Sequence, residues 1–140
     1  MGHPRAVTAR SATGHVWIKR AYQPAGEHDG YRVLVDRLWP RGVSKEKAHL
    51  DAWMKEIAPS TDLRRWFDHD PARWDEFQHR YRVELGEPER RRLVDELAER
   101  ATHGPVTLIY GARDSVFNDA VVLCAVVIAA HPTHQKEAGQ

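Results

Sequence analysis

The chain holds a single cysteine in 140 residues. That excludes an internal disulfide and any site built on several thiolates. It has almost no net charge, with 21 Lys and Arg against 20 Asp and Glu. A polycation that coats nucleic acid is excluded on that balance, while a local basic patch is not. It also lacks a long apolar run. The longest, Ala120 to Ala130, is 11 residues, against about 20 for a membrane span. No Gly-rich phosphate loop, GxSxG or HExxH motif is present. The first residues, MGHPRAVTARSATG, carry no apolar core of a secretory signal. A cytoplasmic location is the expectation from these absences.

What is present suits one packed domain. Hydrophobic residues are 41% and charged residues 29%, enough for a core and too apolar for wholesale disorder. We expect an arm over 1–14, a single α/β domain over 15–130 and a polar tail over 131–140. His15 to Tyr22 and Tyr31 to Asp36 read as strands, the second more continuously apolar and so central. Ser44 can cap a short helix toward Leu50, Asp51 another through Ile57, and Ser60 or Thr61 a third through Phe67. Asp70-Pro71 starts a helix that sets Trp74, Phe77, Tyr81 and Leu85 on one stripe, stopped by Gly86. Glu89 to Ala101 is a second amphipathic helix. Val106 to Tyr110 is a buried strand, and Asn118 to Ala130 a helix apolar nearly all round.

The helical excursion between strands 31–36 and 106–110 predicts a crossover into a parallel sheet. The link Gln23 to Gly30 is short for such a crossover, so the direction of the first strand stays open. The fold class expected is a small three-layer α/β domain with a mostly parallel sheet flanked by helices.

Ligands of open α/β sheets sit beyond the carboxyl ends of the strands. Arg37, Arg41 and Arg113 would emerge there with Asp36, Asp114 and Tyr110. Asn118 stands at the start of the last helix, whose amides would face the same place. Guanidinium forks suit phosphate and carboxylate, so this set reads as an anion pocket, with Asp36 or Asp114 as the candidate general base. Three arginines against two aspartates leave roughly one positive charge for a ligand. The competing reading has the aspartates pinning these arginines as loop anchors. Trp39-Pro40 is a pocket wall or a core plug. Cys124 lies in the apolar helix without the arginine that a thiol-phosphatase loop needs, so it reads as a core thiol. His131 and His134 have no thiolate partners for zinc. His69, beside Asp68 and Asp70, reads as a solvated loop histidine or a base. Over 61–103, nine bases and eleven acids interleave at helical spacing and read as a solvated face.

The run Asp29-Gly30-Tyr31-Arg32-Val33-Leu34-Val35-Asp36-Arg37-Leu38-Trp39-Pro40-Arg41-Gly42 closely resembles the signature of the YeaO-like branch of the domain-of-unknown-function family 488. Lys55 to Arg64 is similar to its second block, and Val106 to Tyr110 with Asn118 to Leu123 to its third. The resemblance spans about His15 to Ile128. It implies a small α/β domain with mostly parallel strands and no particular reaction. Relatives commonly carry a histidine beside the asparagine of the third block, whereas here Phe117 and Asp119 flank Asn118.

Whether the domain is an enzyme is left open. Three functions remain: a binder of a small anionic or phosphorylated ligand, with or without catalysis; a nucleic-acid-binding or regulatory protein using residues 37–55, Arg90, Arg91 and Arg92 with Trp39, Trp53 and Trp66; or a scaffold that forms homo-oligomers. The residues name no cofactor and no metal.

Overall fold

The computed structural model describes residues 15–130. The arm and tail expected at 1–14 and 131–140, with His131 and His134, lie outside the described residues. Four strands form one sheet: β1 (Val16–Arg20), β2 (Tyr31–Leu34), β3 (Ala52–Trp53) and β4 (Val106–Tyr110). Their order is β1-β4-β2-β3, with every pairing parallel. Val16 pairs with Val106 and Arg20 with Tyr110 on one side of β4, and Tyr31 with Val106 on the other. The pairing of 31–34 with 106–110 is thus parallel, as expected. The open question of the first strand is also settled, since β1 is parallel.

Among the described residues five α-helices flank the sheet: α1 (Lys45–Ala48), α2 (Thr61–Phe67), α3 (Trp74–Leu85), α4 (Pro88–Arg100) and α5 (Asp119–Ala130). Ser44 and Ser60 cap α1 and α2 through their hydroxyls, each satisfying an amide the first turn leaves free. Asp70 caps a 3₁₀ turn, Pro71–Arg73, that leads into α3.

The two faces of the sheet are covered differently. Alternation along the strands sends Val16, Ile18, Val33, Val106 and Leu108 to the main core. There they meet Phe67, Phe77, Tyr81, Leu97, Leu123 and Val127 from α2 to α5. The helix α5 packs on β1, β4, α3 and α4 at once, which explains its all-round apolarity. The other face carries a smaller cluster, Ala21, Leu34 and Ile109 with Trp39, Val43 and Leu50.

That second face is closed largely by the polar link between β1 and β2. Lys19, Asp29, Arg32 and Thr107 are all buried there. Lys19 Nζ donates to Pro24 O at 2.9 Å and to Asp29 Oδ2 at 3.0 Å. Arg32 donates to Asp29 at 2.5 Å and to the carbonyls of Ala48 and His49 at 2.8 and 3.0 Å. Thr107 Oγ1 donates to Asp29 O at 2.7 Å. A covering link brings carbonyls that need donors, and these side chains supply them.

One element differs from expectation. Asp51 through Ile57 is not a helix. Residues 52–53 form the edge strand β3, followed by a 3₁₀ turn, Lys55–Ile57. Asp51 N–H donates to Arg32 O at 2.7 Å, Arg32 N–H donates to Asp51 Oδ2 at 2.9 Å, and Met54 N–H donates to Leu34 O at 2.8 Å. The open edge of β2 takes these partners in preference to a local helix. Among the described residues no helix is long and apolar enough to cross a membrane.

Candidate functional site

At the carboxyl edge of the sheet lies a cavity of about 290 Å³. The segment after β2 forms much of its wall, with Asp36, Arg37, Leu38, Trp39, Pro40 and Arg41 all lining it. Trp39 and Pro40 serve as wall and plug together: both line the cavity, and Trp39 also packs on the second-face cluster. Trp39 Nε1 donates to Val43 O at 2.6 Å, which fixes the indole.

Three cationic side chains share the cavity. Arg37 NH1 stands 3.9 Å from the exposed carboxylate of Glu56, a long pair. Its Nε is buried with no hydrogen-bond partner among the described residues. An unmatched buried donor costs about 1–3 kcal/mol. Arg41 and Arg64 are exposed at the rim. Neither side chain makes an ion pair or hydrogen bond with another described residue. His69 also lines the cavity. Asp68 and His69 are consecutive left-handed residues, with φ of 47° and 54°, and they turn the chain sharply where α2 ends.

Two carboxyl groups meet in the same space. Asp36 Oδ2 accepts the Gly111 amide at 2.8 Å, and the Asp36 and Asp119 side chains hydrogen-bond to each other. A Cβ at Gly111 would stand 3.3 Å from Asp36 Oδ2, a tight contact to which the carboxylate would have to yield by a few tenths of an ångström. Burial raises Asp119 well above the ordinary carboxylate range, and the charge and hydrogen bond of Asp36 add to the rise. Burial also raises Asp36, less far, because the Gly111 amide, Asp119 and the Arg64 charge oppose it. The pair therefore holds one proton beyond the pH at which isolated carboxyls lose theirs. Phe67, Phe77 and Phe117 complete the lining with Tyr22, whose hydroxyl donates to Arg41 O at 2.8 Å.

The residues expected from sequence divide here. Asp36, Arg37, Arg41 and Asn118 line the cavity. Tyr110 is buried and does not line the cavity, and its side chain interacts with Asn118. Arg113 and Asp114 are exposed and lie outside the lining. The carboxylate of Asp114 accepts the amides of Phe117 and Val116, each at 2.9 Å. Those bonds hold its pKa below the usual carboxylate range. Asn118 is an N-cap: its Oδ1 accepts Val121 N–H at 3.1 Å, and its Nδ2 donates to Asp114 O at 2.8 Å. Both residues shape the loop before α5. Arg64 and Asp119 stand where Arg113 and Asp114 were expected. Asp119 and Arg64 were legible only as parts of motif blocks, and Arg64 also falls in a charge pattern that reads as a solvated face.

Cys124 is buried in α5, and burial pushes its thiol up to about 12. Among the described residues no group of three or more His, Cys, Asp or Glu is placed to hold a metal ion.

No solved structure matches this chain. The uncharacterized protein YeaO of Escherichia coli (strain K12) is 44% identical over 109 residues, 78% of this chain and 93% of its own. Uncharacterized protein Rv3073c of Mycobacterium tuberculosis (strain ATCC 25618 / H37Rv) is 41% identical over 92 residues, 66% of this chain and 78% of its own. Residues 15–140 match the family described as the inactive DUF488-N3 subclade. Signature run, parallel sheet and relatives agree, and the chain belongs to the DUF488 family, in its inactive N3 subclade.

Proposed function

We propose that this domain binds a small anionic or phosphorylated ligand at the carboxyl edge of its sheet, as a cytoplasmic binder that does not turn the ligand over. The observation that carries this reading is the state of its cavity arginines. Arg37 keeps a buried, unmatched Nε, and among the described residues Arg41 and Arg64 make no side-chain hydrogen bond or ion pair, Arg64 acting on Asp36 only through its charge. An oxyanion would accept from such donors and relieve their mutual repulsion. Charge supports it too. Three guanidiniums face a carboxyl pair that keeps one proton, leaving an excess of positive charge. The subclade's description as inactive favours binding without chemistry. So does the commitment of Asp114 to loop amides, which removes one of the two candidate bases.

The nucleic-acid reading has less behind it. Arg90 donates to Glu87 and Ala58, and Arg91 to Asp95. Trp39 and Trp53 donate their indole N–H groups to Val43 O and Asp36 O. A salt titration with single-stranded RNA separates the two. Weak binding at physiological salt is expected, and micromolar affinity with a steep salt slope would favour the nucleic-acid reading. The direct test of the anion reading is titration of inorganic phosphate into the protein and its Arg41→Ala variant. We expect the variant to bind more weakly with its melting temperature nearly unchanged.

A further inference from the structure

A cavity for a bare oxyanion has no use for aromatic walls or for two carboxyl groups. This one has both. Trp39, Phe67 and Phe117 line it beside the arginines, and Asp36 and Asp119 open into the same space. Carboxylates repel a simple anion, and apolar walls give it nothing in place of lost water. The ligand must therefore have a second part, planar and apolar on its faces, with hydrogen-bond donors on its rim.

We propose that the cavity takes a free nucleoside monophosphate, with the base among the aromatic side chains and its N–H edge on the Asp36–Asp119 pair, and the phosphate on Arg37, Arg41 and Arg64. This deepens the anion-binding reading and rests on it. A base edge presents donors and acceptors side by side. Two carboxyls joined through one proton also present acceptors, and one O–H that can be redirected to a ligand. A base meets that pattern and adds planar apolar faces for the aromatic walls; a second carboxylate does not meet it, and a sugar phosphate offers hydroxyl donors but no such faces. Aromatic rings hold any base by its π face, and arginine stacks or forks onto phosphate equally well. Size sets the limit. About 290 Å³ is at the small end of the roughly 300–1,000 Å³ seen for ligand cavities, which suits one nucleotide. The site asks for no reaction step, in keeping with the subclade.

The test is calorimetric titration of inorganic phosphate, ribose 5-phosphate and the four ribonucleoside monophosphates into the full chain and its Asp119→Asn and Asp36→Asn variants. Melting curves confirm that each variant is folded. At least one nucleotide should bind about tenfold or more tighter than ribose 5-phosphate, a discrimination typical of matched polar contacts. Asp119→Asn should bring that ratio toward one while ribose 5-phosphate binds as before. If it does not fold, Asp36→Asn provides the same readout. If nucleotides bind no tighter than ribose 5-phosphate, or if both variants keep the full ratio, the nucleotide assignment is overturned and the anion reading stands. If neither phosphate nor any other ligand binds, the anion reading itself fails.

Discussion

Asp36, which follows β2, and Asp119, the first residue of α5, line the same cavity and interact through their carboxyl groups. Asp36 is further held by the Gly111 amide at 2.8 Å. With both pKa values raised by burial, the pair is expected to keep one proton between them.

That proton sets a pH dependence. Burial and Asp36 raise the Asp119 pKa well above the ordinary carboxylate range. The folded chain then holds a proton that the unfolded chain releases from about pH 4 upward. The resulting stability is fully present below the unfolded pKa and is lost as pH rises through the folded one. Asp119→Asn keeps the shape and removes the titration. Its melting temperature should exceed that of the natural chain increasingly as pH is raised from 5 to 8. A parallel shift of the two curves at all pH values would contradict the shared proton.

Asp29 answers two buried cations, Lys19 and Arg32, with ion pairs at 3.0 and 2.5 Å. Burial alone would raise its pKa, but the Gly26 amide, Lys19 and Arg32 outweigh that and lower it. Its contribution is present above the unfolded pKa and lost as pH falls through the folded one. Asp29→Ala would strand two charges, a loss of about 3–5 kcal/mol. Chemical denaturation measures it, and a loss under about 1 kcal/mol would mean the charges find water instead.

Gly30 has φ of +66°, and a Cβ there would lie 2.2 Å from Pro105 O. The Tyr31 amide donates to that same carbonyl at 2.9 Å, so the approach is part of the sheet's start. Gly30→Ala should cost on the order of 2–3 kcal/mol from backbone conformation and clash together. Gly42→Ala, also at positive φ but with open space around it, should cost clearly less. Equal losses would remove the role given to Pro105.

Cys124 should resist thiol reagents in the native state. It is 3% exposed, and its thiol is pushed up to about 12, so both access and thiolate are missing. Reaction with a disulfide reagent should need denaturant, and rapid native labelling would show that α5 opens.

Much of this was legible in the sequence, for reasons that can be named. The 3, 4, 4 spacing of Trp74, Phe77, Tyr81 and Leu85 marks a helix face, and Phe77, Tyr81 and Leu85 are buried as that spacing requires. The continuous apolarity of Val106 to Tyr110 marks a strand covered on both faces, and every residue of β4 is buried. β3 was not legible, because two residues carry no period and Asp51 reads as a helix cap until β2 is there to pair with it. At the site, Arg37 and Arg41 were legible because they directly follow a strand. Arg64 was not. Its neighbours Asp62, Arg65 and Asp68 make a local charge pattern identical to a solvated face, and only the packing of α2 beside the segment after β2 brings it to the cavity. Asp114 and Asp119 look alike in sequence. Two loop amides take up Asp114, and that leaves Asp119 to meet Asp36.

The central claim is that the cavity arginines are held for an anion, and phosphate binding to an Arg41→Ala, Arg64→Ala double variant tests it most directly. Both side chains are exposed and, among the described residues, make no hydrogen bond or ion pair, so their removal should leave stability within about 0.5 kcal/mol. Calorimetry at fixed ionic strength should show the natural chain binding phosphate and the double variant binding about tenfold or more weakly, as expected for lost charge-assisted contacts. Absence of binding to the natural chain, equal binding by the variant, or unfolding of the variant would contradict the claim and leave these arginines as loop anchors.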